Sequence, residues 1–573
     1  MLYTDEKLYP LPYRYLPQDF DITQWDGVKA YYEQLCALEP QNREELISLI
    51  EKASEIQNAL SDELSWRYIR MTINADDEAL SNAYNDFYGN VYAQTDPFKD
   101  SIRKIYANSP FRAELEEATY GHLNKIIDNE LKLFREENIP LMVQESELAN
   151  RYGNLVSQMT ANMDGEEKTV AQLSVYLKDQ DRQKRQEAWQ KRMNCYLEKS
   201  PELNKLYDEM KELRVQIAAN TGFSNYRDYM HNSKGRFSYT PDDLIEFHNS
   251  VAKMVVPFVS ELNQKRLEKL GVESLKPWDL AVDLDGKKLQ PFETTEEFVR
   301  KALIILNKVN PEYARQLEMM NNSGLLDLEN RKGKAPGGYN TTINNLASSF
   351  IFMNHVKLHN DVVTLLHEAG HAMHSTATKD IKIDYYCDVP SEVAELASMS
   401  MELLTMDYWD EYYRDEQDYK KAKRDQLEGT LSFLPWCMTV DAFQHWIYLN
   451  PQHSPEQRSQ AFIDIHKRFY PDVDWEGLTH LREVAWMPQL HIFEVPFYYI
   501  EYGIAQLGAL SIYMNYRHNR AQALQQYQDF LRLGYSKPVD QVFAAAGIPF
   551  DFSEKRIGEL VGFVRSELAL LGE

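Results

Sequence analysis

His367-Glu368-Ala369-Gly370-His371 sets two imidazoles four residues apart with a carboxylate beside the first. On a helix that spacing puts both rings on one face, a turn apart, where they can share one metal ion. Glu368 is then placed to act as general base on a water activated by the metal. The chemistry implied is zinc-assisted hydrolysis. A chance match in 573 residues has to be weighed, and the flanking sequence argues against it. Asn360 and Asp361 offer an N-cap, while Val362, Val363, Leu365, Leu366, Ala369 and Met373 supply the apolar positions of a buried helix running to about Thr376. Gly370 weakens that helix by about 1 kcal/mol, which implies that another backbone or a substrate comes close there.

A catalytic zinc commonly takes three protein ligands. A third His six residues after His371 is not available, since Ala377 stands there, and His374 would crowd the same turn. A Glu twenty residues on is also missing, since that position is Ser391. The remaining nearby carboxylates are Asp388, Glu392, Glu395 and Glu402. Asp388-Val389-Pro390-Ser391 reads as a loop ending in a Ser N-cap, so a second helix is expected over Glu392 to about Met406, able to cross the first. Glu395 and Glu402 share a face of it, whereas Glu392 sits in the first turn, where a carboxylate serves the helix N-terminus. Glu395 is the expected third ligand. Glu402 is the expected acceptor of a ring N–H from a ligand His.

These residues resemble the thimet oligopeptidase and oligoendopeptidase F family of zinc peptidases, in its oligoendopeptidase F and Pz-peptidase branch. The resemblance is carried by His367 to Ser375 and by Glu395-Leu396-Ala397-Ser398 with Glu402. Upstream, Lys334 to Tyr339 and Ser349 to Asn354 look like the family's glycine-rich segment and the edge strand before the zinc helix, along which the substrate backbone lies. The resemblance thus implies Gly337, Gly338 and Tyr339 as substrate-binding residues. Taken alone, Gly337-Gly338 is a turn signal and Phe350 to Met353 a short apolar strand. Downstream, His491 to Gly503 resembles the loop and helix that bring a His and several Tyr over the metal. With 36 Tyr and 14 His in the chain, an aromatic cluster is ordinarily core or channel wall. The resemblance instead implies catalytic roles for His491, Tyr498 and Tyr502. Tyr498 and Tyr502, one turn apart, can both present a phenol to the developing oxyanion. Tyr499 is expected on a different face, as a substrate-binding residue, and which phenol does which job stays open.

The fold implied by the resemblance is mainly α, a two-lobed helical body around a deep substrate channel, with a small β element beside the zinc helix. Residues 1–200 are expected to form an N-terminal helical region and 201–573 the catalytic domain, with a core at 334–503. Gln41 to Leu141 and Glu166 to Ala219 carry helical periodicity, the second stretch with a charged face read as solvated. Leu275 to Thr295 is the clearest non-helical stretch and the place for a few strands. Helices resume beyond Trp409, broken at Asn450-Pro451, Pro471 and Gly547-Ile548-Pro549.

The formal charge of −26 argues against nucleic acid as a partner. Cys36, Cys195, Cys387 and Cys437 are scattered and fit no metal pattern, as expected of reduced cytoplasmic thiols. The first ten residues lack a basic, then apolar leader, and no run of eighteen apolar residues occurs, so a soluble chain without a membrane segment is expected. The expected function is that of an oligoendopeptidase with one zinc per chain, cutting internal bonds of short unfolded peptides by attack of a zinc-bound water with Glu368 as base. Two other readings are terminal or dipeptidyl trimming by the same chemistry, and a peptide-binding protein that keeps zinc without hydrolysis. Intact Glu368 argues against the last, since a structural site needs no base.

Overall fold

Helices form wherever the apolar period is 3.6, and only two small sheets interrupt them in the computed structural model, which describes residues 5–572. Residues 1–4, part of the stretch read above for a leader, lie outside the described residues. Among those described, no helix is long and apolar enough to cross a membrane. The chain divides into two compact units, each assembled from three stretches.

The first unit comprises residues 1–132, 289–423 and 508–550. Its N-terminal part is helical as expected, with Arg43–Ile73 the longest helix, capped by the Asn42 side chain accepting from Glu45 N at 2.8 Å. A three-stranded sheet follows, in the order Leu326–Glu329, Ser348–His355, Tyr339–Ile343. Ser348–His355 corrects the edge-strand expectation. It lies in the centre, parallel to the first strand and antiparallel to the last, and Phe350, Ile351, Phe352 and Met353 are all buried. A continuous apolar run is what a strand covered on both faces requires. One edge is Tyr339–Ile343, reached through a turn at Gly337, whose φ of 95° lies in the left-handed region. Asn354 Nδ2 clamps that turn by donating to the carbonyls of Ala335 at 2.9 Å and Gly337 at 2.8 Å.

The second unit comprises residues 133–288, 424–507 and 551–573. Its axis is the 39-residue helix Arg182–Asn220, whose Trp189, Tyr196, Leu203, Leu206 and Met210 enter the core. Three expectations need correction here. The Glu166 to Ala219 stretch opens on a hairpin, Thr160–Met163 with Glu166–Thr169, because Asp164-Gly165 adopts positive φ at both positions. The charged face is not wholly solvated, since Arg185 and Arg214 are fully buried, paired with Asp279 at 3.1 Å and Glu145 at 2.6 Å. Finally, Leu275 to Thr295 holds no strand beyond one isolated bridge, Leu275 to Val473. Asp279 organises that segment instead, accepting from Lys276 N at 3.0 Å and from Arg182 Nη2 at 2.7 Å.

Candidate active site

The motif helix spans His359–Ala377 and starts differently from the expectation. Leu358 is the N-cap, and Asp361, inside the first turn, turns its carboxylate back to accept from the backbone N–H groups of Leu358 at 2.7 Å and Val356 at 2.9 Å. Those are donors that the helix itself cannot satisfy. Val362, Leu365, Leu366 and Ala369 are fully buried, so the apolar stripe fixes which face turns away from the core. The second helix spans Ser391–Thr405, with Pro390 rather than Ser391 as N-cap.

Gly370 is where the two helices meet. A Cβ there would stand 2.6 Å from Ser398 Cα and 2.8 Å from Ala397 O, so the close backbone approach implied by the glycine is that of the second helix. This contact brings His367, His371 and Glu395 together. Their ligand atoms lie within 4.8 Å of one another. Glu395 Oε2 stands 3.3 Å from His367 Nε2 and 3.9 Å from His371 Nε2, and the two rings are near perpendicular at 84°. Glu402 Oε1 accepts from His367 Nδ1 at 2.7 Å, which leaves Nε2 of that ring for a metal. Two imidazole nitrogens and one carboxylate oxygen are the donor set of a catalytic transition-metal site. Ser398 Oγ donates to Glu395 Oε2 at 3.1 Å, and Asn340 Nδ2, from the edge strand, donates to the Glu368 carbonyl at 3.2 Å.

The electrostatics separate the groups. Burial pushes the His367 ring down, but hydrogen bonds to Glu395 and Glu402 outweigh it and hold the ring well above its usual value. Burial and the neighbouring His367 push His371 down to about 4. Burial would raise Glu395, yet the His367 hydrogen bond and both imidazoles hold it low. Glu368 is pushed up to about 7, chiefly by burial, with His367 opposing and Glu395 and Glu402 adding. Its Oε2 is buried without a hydrogen-bond partner. A carboxylate oxygen with such an affinity for protons is suited to take one from a nucleophile near neutral pH.

His491, Tyr498, Tyr499 and Tyr502 form one cluster within the second unit. The His491 ring lies 6.1 Å from Tyr498, 4.7 Å from Tyr499 and 6.3 Å from Tyr502 between centroids. Tyr499 therefore does not face apart from the others, because Tyr498 precedes the helix, which begins at Tyr499. The turn before it runs through Phe497, a non-glycine residue at φ 60°. That strained position is held by Gln444 Oε1, which accepts from Phe497 N at 2.9 Å, and by Arg236, which donates to Phe497 O and to Glu501 at 2.8 Å. Gln489 Nε2 donates to His491 Nδ1 at 2.6 Å, which assigns the ring proton to Nε2. Burial pushes His491 down to about 4, so the ring is a neutral donor. The sequence reading missed Asn340, Gln444, Gln489 and Arg236; single polar residues far along the chain carry no spacing signal.

A second group, His248, Asp441 and His445, also brings three ligand atoms within 4.8 Å, inside the second unit. It is fully buried and lies on no such motif.

Comparison with known proteins agrees with the geometry. Residues 175–560 match the model of peptidase family M3, and residues 17–134 that of the peptidase M3 N-terminal domain. The chain is 21% identical to group B oligopeptidase PepB of Streptococcus agalactiae serotype III, across 87% of this chain and 86% of the relative. It is 26% identical to an oligoendopeptidase F homolog of Borreliella burgdorferi, across 73% and 72%. A solved Pz peptidase A with inhibitor superposes with a TM-score of 0.87 at 29% identity, covering 96% of this chain and 98% of that one. With the family model covering most of the chain and ending well beyond both of the helices that meet at Gly370, the protein belongs to peptidase family M3 and is a metallopeptidase.

Proposed function

We propose that the protein is a zinc oligoendopeptidase that cuts internal bonds of short unfolded peptides, with one zinc held by His367, His371 and Glu395. The observation that carries this reading is the pairing of that donor group with the buried, unpartnered Oε2 of Glu368 on the same helix. Zinc bound there would polarise the scissile carbonyl and make water nucleophilic near neutral pH. Glu368 takes the proton of the attacking water at Oε2 and delivers it to the leaving amine. Glu402 holds His367 in the tautomer that offers Nε2. His491 Nε2–H and the phenols of Tyr498 and Tyr502 serve as oxyanion donors, and each one lost costs on the order of 3 kcal/mol in the barrier. Gly337, Gly338, Tyr339 and Tyr499 contact the substrate. Peptides are the substrates through membership of the family. Their shortness and internal cleavage are supported by the oligopeptidase and oligoendopeptidase names of the relatives. A cytoplasmic site of action is supported by four unpaired cysteines.

Peptides blocked at both ends test the endopeptidase reading. Internal fragments identified by mass spectrometry are the expected products; cleavage of the free peptides alone would replace it with terminal trimming.

A further inference from the structure

The His248, Asp441 and His445 group is placed by two helices of the second unit, Pro241–Met254 and Leu434–Leu449. Asp441 and His445 lie one turn apart on a single helix face, and His248 meets them from the other helix. Asp441 Oδ2 stands 2.8 Å from His248 Nε2 and 3.2 Å from His445 Nε2. The two rings lie 5.4 Å apart at 81°, and the ligand atoms of the three side chains lie within 4.8 Å of one another. All three side chains are buried, with 3%, 0% and 5% exposure.

A simple ion-paired core explains this arrangement poorly. His445 Nδ1 and Asp441 Oδ1 are buried without hydrogen-bond partners, and His445 Nε2 has only its 3.2 Å approach to Asp441 Oδ2, too poorly aligned for a good hydrogen bond. A buried imidazole normally places its N–H and its lone pair, and a buried carboxylate normally fills both oxygens. A divalent cation would accept lone pairs from both Nε2 atoms and neutralise the carboxylate at once. Two imidazoles and one carboxylate select the zinc, cobalt and nickel class over calcium or magnesium, which take oxygen ligands.

We propose that His248, Asp441 and His445 form a second metal site that binds one divalent transition-metal ion and ties the two helices together. The site is structural, closed to substrate by its burial. It backs the turn that leads to Tyr498, since the His445 ring packs edge-on against Phe497 at 5.7 Å and the adjacent Gln444 accepts from Phe497 N. This proposal does not depend on the roles assigned to Glu368 or to the His367 group.

The test counts metal. Full-length protein is stripped with a chelator, reloaded with Co2+ alone and passed through gel filtration, and cobalt per chain is measured by mass spectrometry and visible absorption. Two equivalents are expected for the wild type and one for His445→Gln. One is also expected for His367→Ala, whose remaining ion is lost when His445→Gln is added. If His445→Gln does not fold by circular dichroism, His248→Gln is read in its place. A wild-type count of one or less, or a count of two that neither substitution lowers, overturns the second site; a count of one that His367→Ala abolishes does so while leaving the His367 group untouched.

Discussion

Three carboxylates within eleven residues of one helix take different positions around the His pair, and their geometry makes the duties proposed for them testable. Glu395 lies in the donor group, whereas Glu392, also buried, does not. Glu395→Gln is expected to weaken zinc binding by well over tenfold in a competition titration, while Glu392→Gln leaves it nearly unchanged; the reverse order would mean that the wrong ligand is assigned. Glu402→Ala removes the acceptor of the His367 Nδ1–H and is expected to cost about 10- to 100-fold in zinc affinity. Glu402→Gln, which keeps an acceptor oxygen, recovers part of the loss. That Glu395 and Glu402 share a face was legible in the sequence, because helical spacing alone decides it. Asn340 and Gln489 were not, because their contacts depend on how strand and loop return to the site, which no periodicity encodes.

At the scale of elements, the crossing at Gly370 decides the site. A methyl group there meets Ser398 Cα and Ala397 O, both backbone atoms that cannot swing aside. Gly370→Ala is expected to destabilise the protein by about 1–3 kcal/mol by denaturant unfolding, despite the higher helix propensity of Ala, and to weaken zinc binding as Glu395 is pushed from the His pair. Unchanged stability and affinity would show that the helices have room to separate. The glycine pointed to this contact in the sequence, whereas the pairing of Ser348–His355 on both edges did not show. An apolar run reveals that a strand is buried, and only the neighbours reveal which place it takes in the sheet. The same limit applies to Leu275 to Thr295, where loss of helical pattern was clear but the organising role of Asp279 rests on arginines roughly a hundred residues away.

For the molecule as a whole, buried histidines set the response to acid. His466 accepts from Arg482 Nη2 at 2.7 Å, and burial, reinforced by that guanidinium, pushes it down to about 3. His231 is pushed down to about 4, chiefly by burial. Both are neutral when folded and take up a proton near 6.5 when unfolded, so their stability contribution is complete above pH 6.5 and declines as pH falls toward 4 and 3. Each removes about 1.4 kcal/mol per pH unit in that window. His466→Gln, which keeps an acceptor for Arg482, is expected to flatten the acid limb of unfolding free energy measured between pH 6.5 and 5; an unaltered slope would contradict the neutral ring. Helical content and the metal motif were readable from the sequence, but the two units, each built from three separated stretches, were not, because contacts that alternate along a chain leave no local mark. The central claim concerns one oxygen atom in this large structure, and Glu368→Gln tests it most directly. With zinc content and peptide turnover measured on the same samples, the variant is expected to keep its zinc and lose about 100- to 10,000-fold in kcat. Zinc retained together with wild-type turnover would contradict Glu368 as the base.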